Sequence, residues 1–190
     1  MEKLIQIFKT PDLRKKILIV SSLLLVFRIF AAIPIPSVDL IRLKMFLGSS
    51  QLLGFLDLFS GGALGKLSIV MLGVGPYITA TIIMQLLTMI FPRLKEFYYE
   101  QGEMGRAKFN RISRYLTVPL AALQGYAFLN LLKSQQILTM TSPFDIFRNV
   151  IIVTAGSMFL VWLGELISEQ KIGNGVYLLI FAGIVSGLPQ

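Results

Sequence analysis

The chain has 190 residues, of which 55% are hydrophobic and 15% charged, with a mean hydropathy of +0.74 and a formal net charge of +8. That is too apolar for a water-soluble globule of this size, and the absence of cysteine and histidine removes disulfides, thiol nucleophiles, imidazole bases and the commonest zinc ligands. The basic residues stand in short segments between apolar runs, so they read as flanks of membrane spans rather than as a surface for nucleic acid.

Residues 1–16 are charged and polar, without the basic tip, apolar core and small-residue cleavage site of a removable signal, so the first span is expected to remain in the mature protein. That span runs from Ile17 to Ile33 and stops at Pro34 and Pro36, which cannot continue a helix. Arg28 is the charge inside it. Such a residue is a functional hypothesis by default, but six residues before Pro34 it can also snorkel to the interface or meet a structural partner such as a cluster of carbonyls. Between Ser37 and Lys66 the stretch Leu52–Leu58 is moderately apolar and Ser60, Gly61 and Gly62 form a breaker. Too short to cross and too apolar for a plain loop, it predicts a short re-entrant or cavity-lining helix, which requires protein or a cavity around its backbone.

The second span, Leu67–Phe91, has no charge in 25 residues. Gly73, Gly75 and Pro76 weaken it, which fits either close packing through small residues or a break whose carbonyls are satisfied by neighbours or water. Val74 and Ile78 stand four apart and share a face, and Val176 and Ile180 repeat that relation in the last span. Apolar pairs of this kind usually face lipid or core. Tyr77, Thr79, Thr81, Gln85 and Thr88, however, make the second span more polar than lipid contact requires, which points toward a pore.

Residues 93–114 read as a basic, partly helical cytoplasmic loop carrying Glu100, Glu103, Arg106, Lys108, Arg111 and Arg114. Three more spans follow, at 115–132, 149–164 and 172–190. Glu165 and Glu169, four apart before the last span, have the spacing of paired carboxylates, but a solvated helix face explains them without a substrate pocket. Segments 1–16, 93–114 and 165–171 hold twelve basic residues against five in 34–66 and 133–148. Basic loops resist translocation, so the N-terminus is expected in the cytoplasm and the C-terminal end outside. Asp12, Asp39, Asp57 and Asp145 all lie outside the spans, and no Gly-rich phosphate loop is present, so no enzyme, metal site or cofactor is expected. A small-solute carrier would need buried polar groups at mid-membrane, for which the sequence offers only Arg28.

Several longer motifs then form a recognisable series. Phe27-Arg28 with Ile33-Pro34-Ile35-Pro36, Asp57-Leu58-Phe59-Ser60-Gly61-Gly62-Ala63-Leu64, Gly75-Pro76-Tyr77-Ile78-Thr79-Ala80 through Gln85-Leu86-Leu87, and Glu103, Gly105, Arg106, Lys108, Phe109 with Arg114-Tyr115-Leu116-Thr117 resemble, in order, the first half of the SecY family. Trp162-Leu163-Gly164-Glu165, Ile172-Gly173-Asn174-Gly175 and the run Phe181–Pro189 continue the resemblance.

That resemblance implies an all-α membrane protein: five transmembrane helices and a re-entrant plug, one half of a ten-helix inverted repeat. The implied activity is a pore that passes unfolded preproteins across the plasma (inner) membrane and opens sideways to release apolar segments into lipid. By the same analogy a plug spans about 55–66, with Asp57, Phe59, Ser60, Gly61, Gly62 and Leu64. Val74, Ile78, Val176 and Ile180 would be this half's share of the apolar constriction, and Thr79, Ile82, Ile83 and Gln85 would line the lateral gate. Implied partners are SecE-like and SecG-like small membrane subunits, a SecA motor or a ribosome, signal peptides, and the C-terminal half. Val74 and Val176 are smaller than the isoleucines often found there, and Tyr177 stands where a small hydroxyl residue is common. The half length leaves three expectations: a portion of a full channel, a half that dimerises, or a fold with another task such as solute transport. The charge bias speaks against the opposed insertion that a two-fold pair would need, which favours the first.

Overall fold

Proline at a helix start is pre-organised, because its fixed φ suits the first turn and its missing N–H has no intrahelical partner there. Several helices of this chain use it. In the computed structural model, which describes residues 11–36, 40–49, 54, 57, 60, 62–99, 102–138 and 142–187, α1 spans Pro11–Ala31, α2 Leu40–Ser49, α3 Gly75–Ile90, α4 Pro92–Tyr99, α5 Gly102–Ser134, α6 Pro143–Glu169 and α7 Gly175–Gly187. Pro76, Pro92 and Pro143 sit in the first turns of α3, α4 and α6, and Ser142 caps α6 by accepting the Phe144 N–H. No strand is present among the described residues; an isolated antiparallel bridge joins Pro34 to Ser68.

Two helical stretches are long and apolar enough to cross a membrane, Met104–Ser134 and Pro143–Glu169, while α3 and α7 are apolar but shorter. At 1.5 Å per residue the 27 residues of α6 reach about 40 Å, more than the ~30 Å hydrocarbon core. The second span expected over 67–91 is helical only from Gly75. Residues 67–74 are successive turns, with Leu67 at φ 44° and Gly73 at φ 58°. The glycines and proline therefore mark the beginning of a helix rather than a weak point within one.

Irregular backbone at membrane depth must find its partners inside the protein. Here it does. Ile35 N–H donates to Leu67 O (2.8 Å) and Ile69 N–H to Ile33 O (3.1 Å), while Ser68, Met71 and Gly73 donate to Ala63, Ser68 and Val70. Gly156 on α6 makes room for this segment, since a Cβ there would collide with the Ile69 carbonyl.

The basic stretch 93–114 is more regular than a loop: α4 fills its first part, and α5 begins at Gly102 and runs unbroken past Pro119 to Ser134. Apolar helices α6 and α7 meet at a tight corner. Gly175 abuts the Gly164 carbonyl, and Ser168 Oγ donates to Gly164 O and accepts the Gly175 N–H at 2.8 Å. Helix α2 was not foreseen. Its Leu43 is fully buried, and Arg42 donates to the Gln136 carbonyl (3.1 Å) beyond α5.

Two apolar clusters hold the bundle. One joins Val20, Phe27 and Ala31 of α1 to Leu160, Leu163 and Ile167 of α6 and Leu179 of α7; the other joins Leu43 to Leu129 and Leu132 of α5 and Val153 of α6. The 67–74 segment feeds both, with Val70 and Val74 in the first and Leu67 and Met71 in the second. In lipid such clusters hold by close packing, since apolar side chains gain nothing by leaving one hydrocarbon for another.

Of the expected plug, Asp57, Ser60, Gly62 and Leu64 are described, and Phe59 and Gly61 lie outside the described residues, as do 1–10 of the expected cytoplasmic terminus and 188–190 of the last span. Asp57 organises what is visible. Its carboxylate accepts the Gly65 N–H at 2.6 Å, its carbonyl accepts the Gly62 N–H at 2.9 Å, and Ser60 Oγ accepts the Leu64 N–H at 3.0 Å.

Candidate functional site

Along α3, residues 78, 82 and 85 fall on one face, because steps of four and three residues each return to nearly the same azimuth. Ile78, Ile82 and Gln85, with Tyr77 and Thr81 beside them, form one wall of a cavity of about 1130 Å³. Asn110, Arg111 and Arg114 of α5, Gly164, Glu165, Ser168 and Glu169 of α6, and Val176 and Tyr177 of α7 supply the others. The lining therefore mixes branched apolar and charged side chains.

Of the four residues expected at a constriction, three pack in or against the first apolar cluster and the fourth shares the cavity with one of them. Val74 is buried in the first apolar cluster, against which Val176 and Ile180 also pack. Ile78 stands 37% exposed in the cavity, which Val176 also lines. Of the gate candidates, Ile82 and Gln85 are exposed on the cavity wall, whereas Thr79 and Ile83 are turned to another side of α3 and are half-buried.

The threonines that made this helix look polar spend their hydrogens on it: Thr79 Oγ1 donates to Gly75 O (3.1 Å), Thr81 to Tyr77 O (2.9 Å) and Thr88 to Gln85 O (2.6 Å). Such back-bonding leaves little donor capacity for a ligand. Gln85 keeps its amide in the open.

Glu165 is not on a freely solvated face. Arg114 Nη2 donates to its Oε1 in an ion pair between α5 and α6, with side chains 42% and 29% exposed, while Glu169 stays exposed. The correction follows from the continuity of α5, whose helical turns below residue 115 carry Arg114 alongside α6. Nothing in the local sequence announces a pair 51 residues apart. Arg28 also has a partner within the fold: its Nη1 donates to Ser186 Oγ on α7 at 2.8 Å. This favours the structural-partner reading over snorkelling. Among the described residues no group of three or more acidic, histidine or cysteine side chains could hold a metal.

The arrangement offers a large groove with charged and branched apolar walls.

Residues 68–190 match the family model described as SecY. Over 202 residues the chain is 43% identical to the protein translocase subunit SecY of Corynebacterium glutamicum, matching 100% of this chain and 46% of that protein. The SecY subunits of Streptomyces galbus (42% identity; 96% of this chain, 45% of that one) and Synechocystis (40% identity; 100% and 42%) are similar in the same way. The chain thus spans less than half the length of the curated relatives it matches. In fold it is similar to canine Sec61 in a ribosome-channel complex, with a TM-score of 0.60 at 23% identity over 87% of this chain and 35% of that one. A second solved structure, of a protein-conducting channel, gives the same score and identity over 87% and 34%.

Proposed function

The chain belongs to the SecY family, and from that premise we propose that it forms one wall of a channel through which unfolded polypeptides cross the membrane. The observation that carries the reading is the shared cavity, lined by Ile78 from α3 and Val176 from α7 together with Arg111, Arg114, Glu165 and Glu169. A groove with both charged and branched apolar walls suits a substrate of any sequence, because polar segments stay hydrated and the apolar side chains make no directional bonds to hold the peptide.

In this reading five spans cross the membrane, with the N-terminus and residues 93–114 in the cytoplasm of a cell with a plasma (inner) membrane. Val74, Ile78, Val176 and Ile180 form part of the constriction, residues 55–66 the plug, and Ile82 and Gln85 the gate face that Thr79 and Ile83 flank. The remaining ring and gate residues come from the C-terminal part that the longer relatives possess, and small membrane subunits and a SecA-like motor or a ribosome complete the machine. The Sec61 relative was solved in a complex with a ribosome, which supports a ribosome as one such partner.

The test is ion conductance in planar bilayers, with the chain alone and together with the matching C-terminal part, each with and without residues 55–66. Conductance is expected only with both parts, and it should rise when the segment is deleted. A lone chain that conducts or carries small solutes would replace this reading with that of a homodimeric channel or carrier.

A further inference from the structure

We propose that Arg28 is a positioning residue that sets the rotation of α7 about its own axis and thereby keeps Val176 turned toward the cavity; the inference rests on the reading of α7 as a pore-lining helix. Three observations on α7 carry it. Ser186, which accepts the Arg28 guanidinium at 2.8 Å, lies three and seven residues after Gly183 and Leu179 and so shares their face. That face is the buried one, for Leu179 is 2% exposed and packs in the cluster with Phe27 of α1. Val176 and Ile180 stand about 60° and about 100° from Leu179, at about 100° per residue, between the buried face and the open face of Tyr177 and Phe181. Fixing Ser186 therefore fixes the azimuth of the pair.

The bond is well placed to do so. Helix α7 is anchored at its start by Ser168 and Gly164, but apolar side chains alone in a lipid-like surround leave helix rotation weakly specified, since one hydrocarbon contact replaces another at little cost. A directional bond at the far end removes that freedom. Ser186 Oγ also donates to Gly183 O at 2.8 Å, so its lone pair is already aimed when Arg28 arrives. The guanidinium in turn meets the last turn of α7, where the helix dipole favours a cation. A charge within a span is costly unless it has such partners, and a fastening that breaks only at that cost is a stiff one.

The chain contains no cysteine, which makes the test direct. In membranes containing the assembled channel, Val176→Cys and Leu179→Cys are labelled with a water-soluble maleimide, in the native background and with Arg28→Met, Arg28→Lys or Ser186→Ala. Val176→Cys is expected to react and Leu179→Cys to resist in the native background. Arg28→Met should lower the Val176→Cys rate and raise that of Leu179→Cys several-fold, Ser186→Ala should shift both the same way, and Arg28→Lys should restore much of the native pattern. Native labelling at position 176 that persists unchanged in both Arg28→Met and Ser186→Ala overturns the positioning role, even if the channel melts earlier. Should Arg28→Met fail to accumulate, Ser186→Ala alone decides, because it removes the bond and leaves the charge. Absence of native labelling at position 176 would instead remove the pore-lining reading on which the inference depends.

Discussion

Arg114 and Glu165 pair on the wall of the cavity, where each would otherwise present an unbalanced charge. With Arg114 42% open to solvent, the pair is worth on the order of 0.5 kcal/mol rather than the several expected of a buried one. Its consequence is geometric: it joins α5 to α6 across the groove. Glu165→Arg should leave two like charges in contact and slow preprotein transport, and the swap Arg114→Glu with Glu165→Arg should recover most of the rate. A double-mutant cycle on transport velocity checks this, and additive losses would show that the two residues act separately. Of this pair the sequence displays only two ordinary charges on what look like separate loops. Neither the helical run of α5 through residues 102–114 nor the approach of α6 can be read from residue types. The four-residue spacing of Val176 and Ile180 was legible, because both lie within α7, whereas Val74 falls in the turns before α3 and its spacing to Ile78 is not wholly helical.

Among elements, the segment 67–74 carries the most risk, being non-helical backbone packed between helices. Its fit depends on Gly156, where the Ile69 carbonyl occupies the space a side chain would need. Gly156→Ala is expected to cost about 1–3 kcal/mol by overpacking and to lower the melting midpoint in detergent. Gly125→Ala, whose new Cβ would sit 3.7 Å from Leu72 and Val153, should be tolerated. Equal effects of the two would mean that the segment yields to α6. Hydropathy hid this element, since an uncharged apolar run of 25 residues has the same composition whether it is helical throughout or begins as turns. Gly73 and Pro76 did signal a change of conformation. Only the hydrogen bonds to Ile33 and Ile35, made from outside the run, settle that it is a helix start. Helix α2 escaped for the opposite reason: ten residues containing Arg42 and Lys44 fall below the length and apolarity that mark a span.

At the scale of the whole molecule, the proposed orientation in the membrane rests on the excess of basic residues in 1–16, 93–114 and 165–171. Single cysteines at Arg106 and at Ser142, introduced into this cysteine-free chain, should be labelled by an impermeant maleimide from opposite sides of the membrane, Arg106→Cys from the cytoplasm. Labelling of both from one side would remove the topology proposed above. The corner between α6 and α7 bears on how such a molecule changes shape. With Gly175 seated on the Gly164 carbonyl and Ser168 bonded to both sides of the turn, the two helices behave as the arms of a welded bracket. In the channel proposed above, their side of the groove is then a fixed jaw, and widening comes from the travel of what stands opposite.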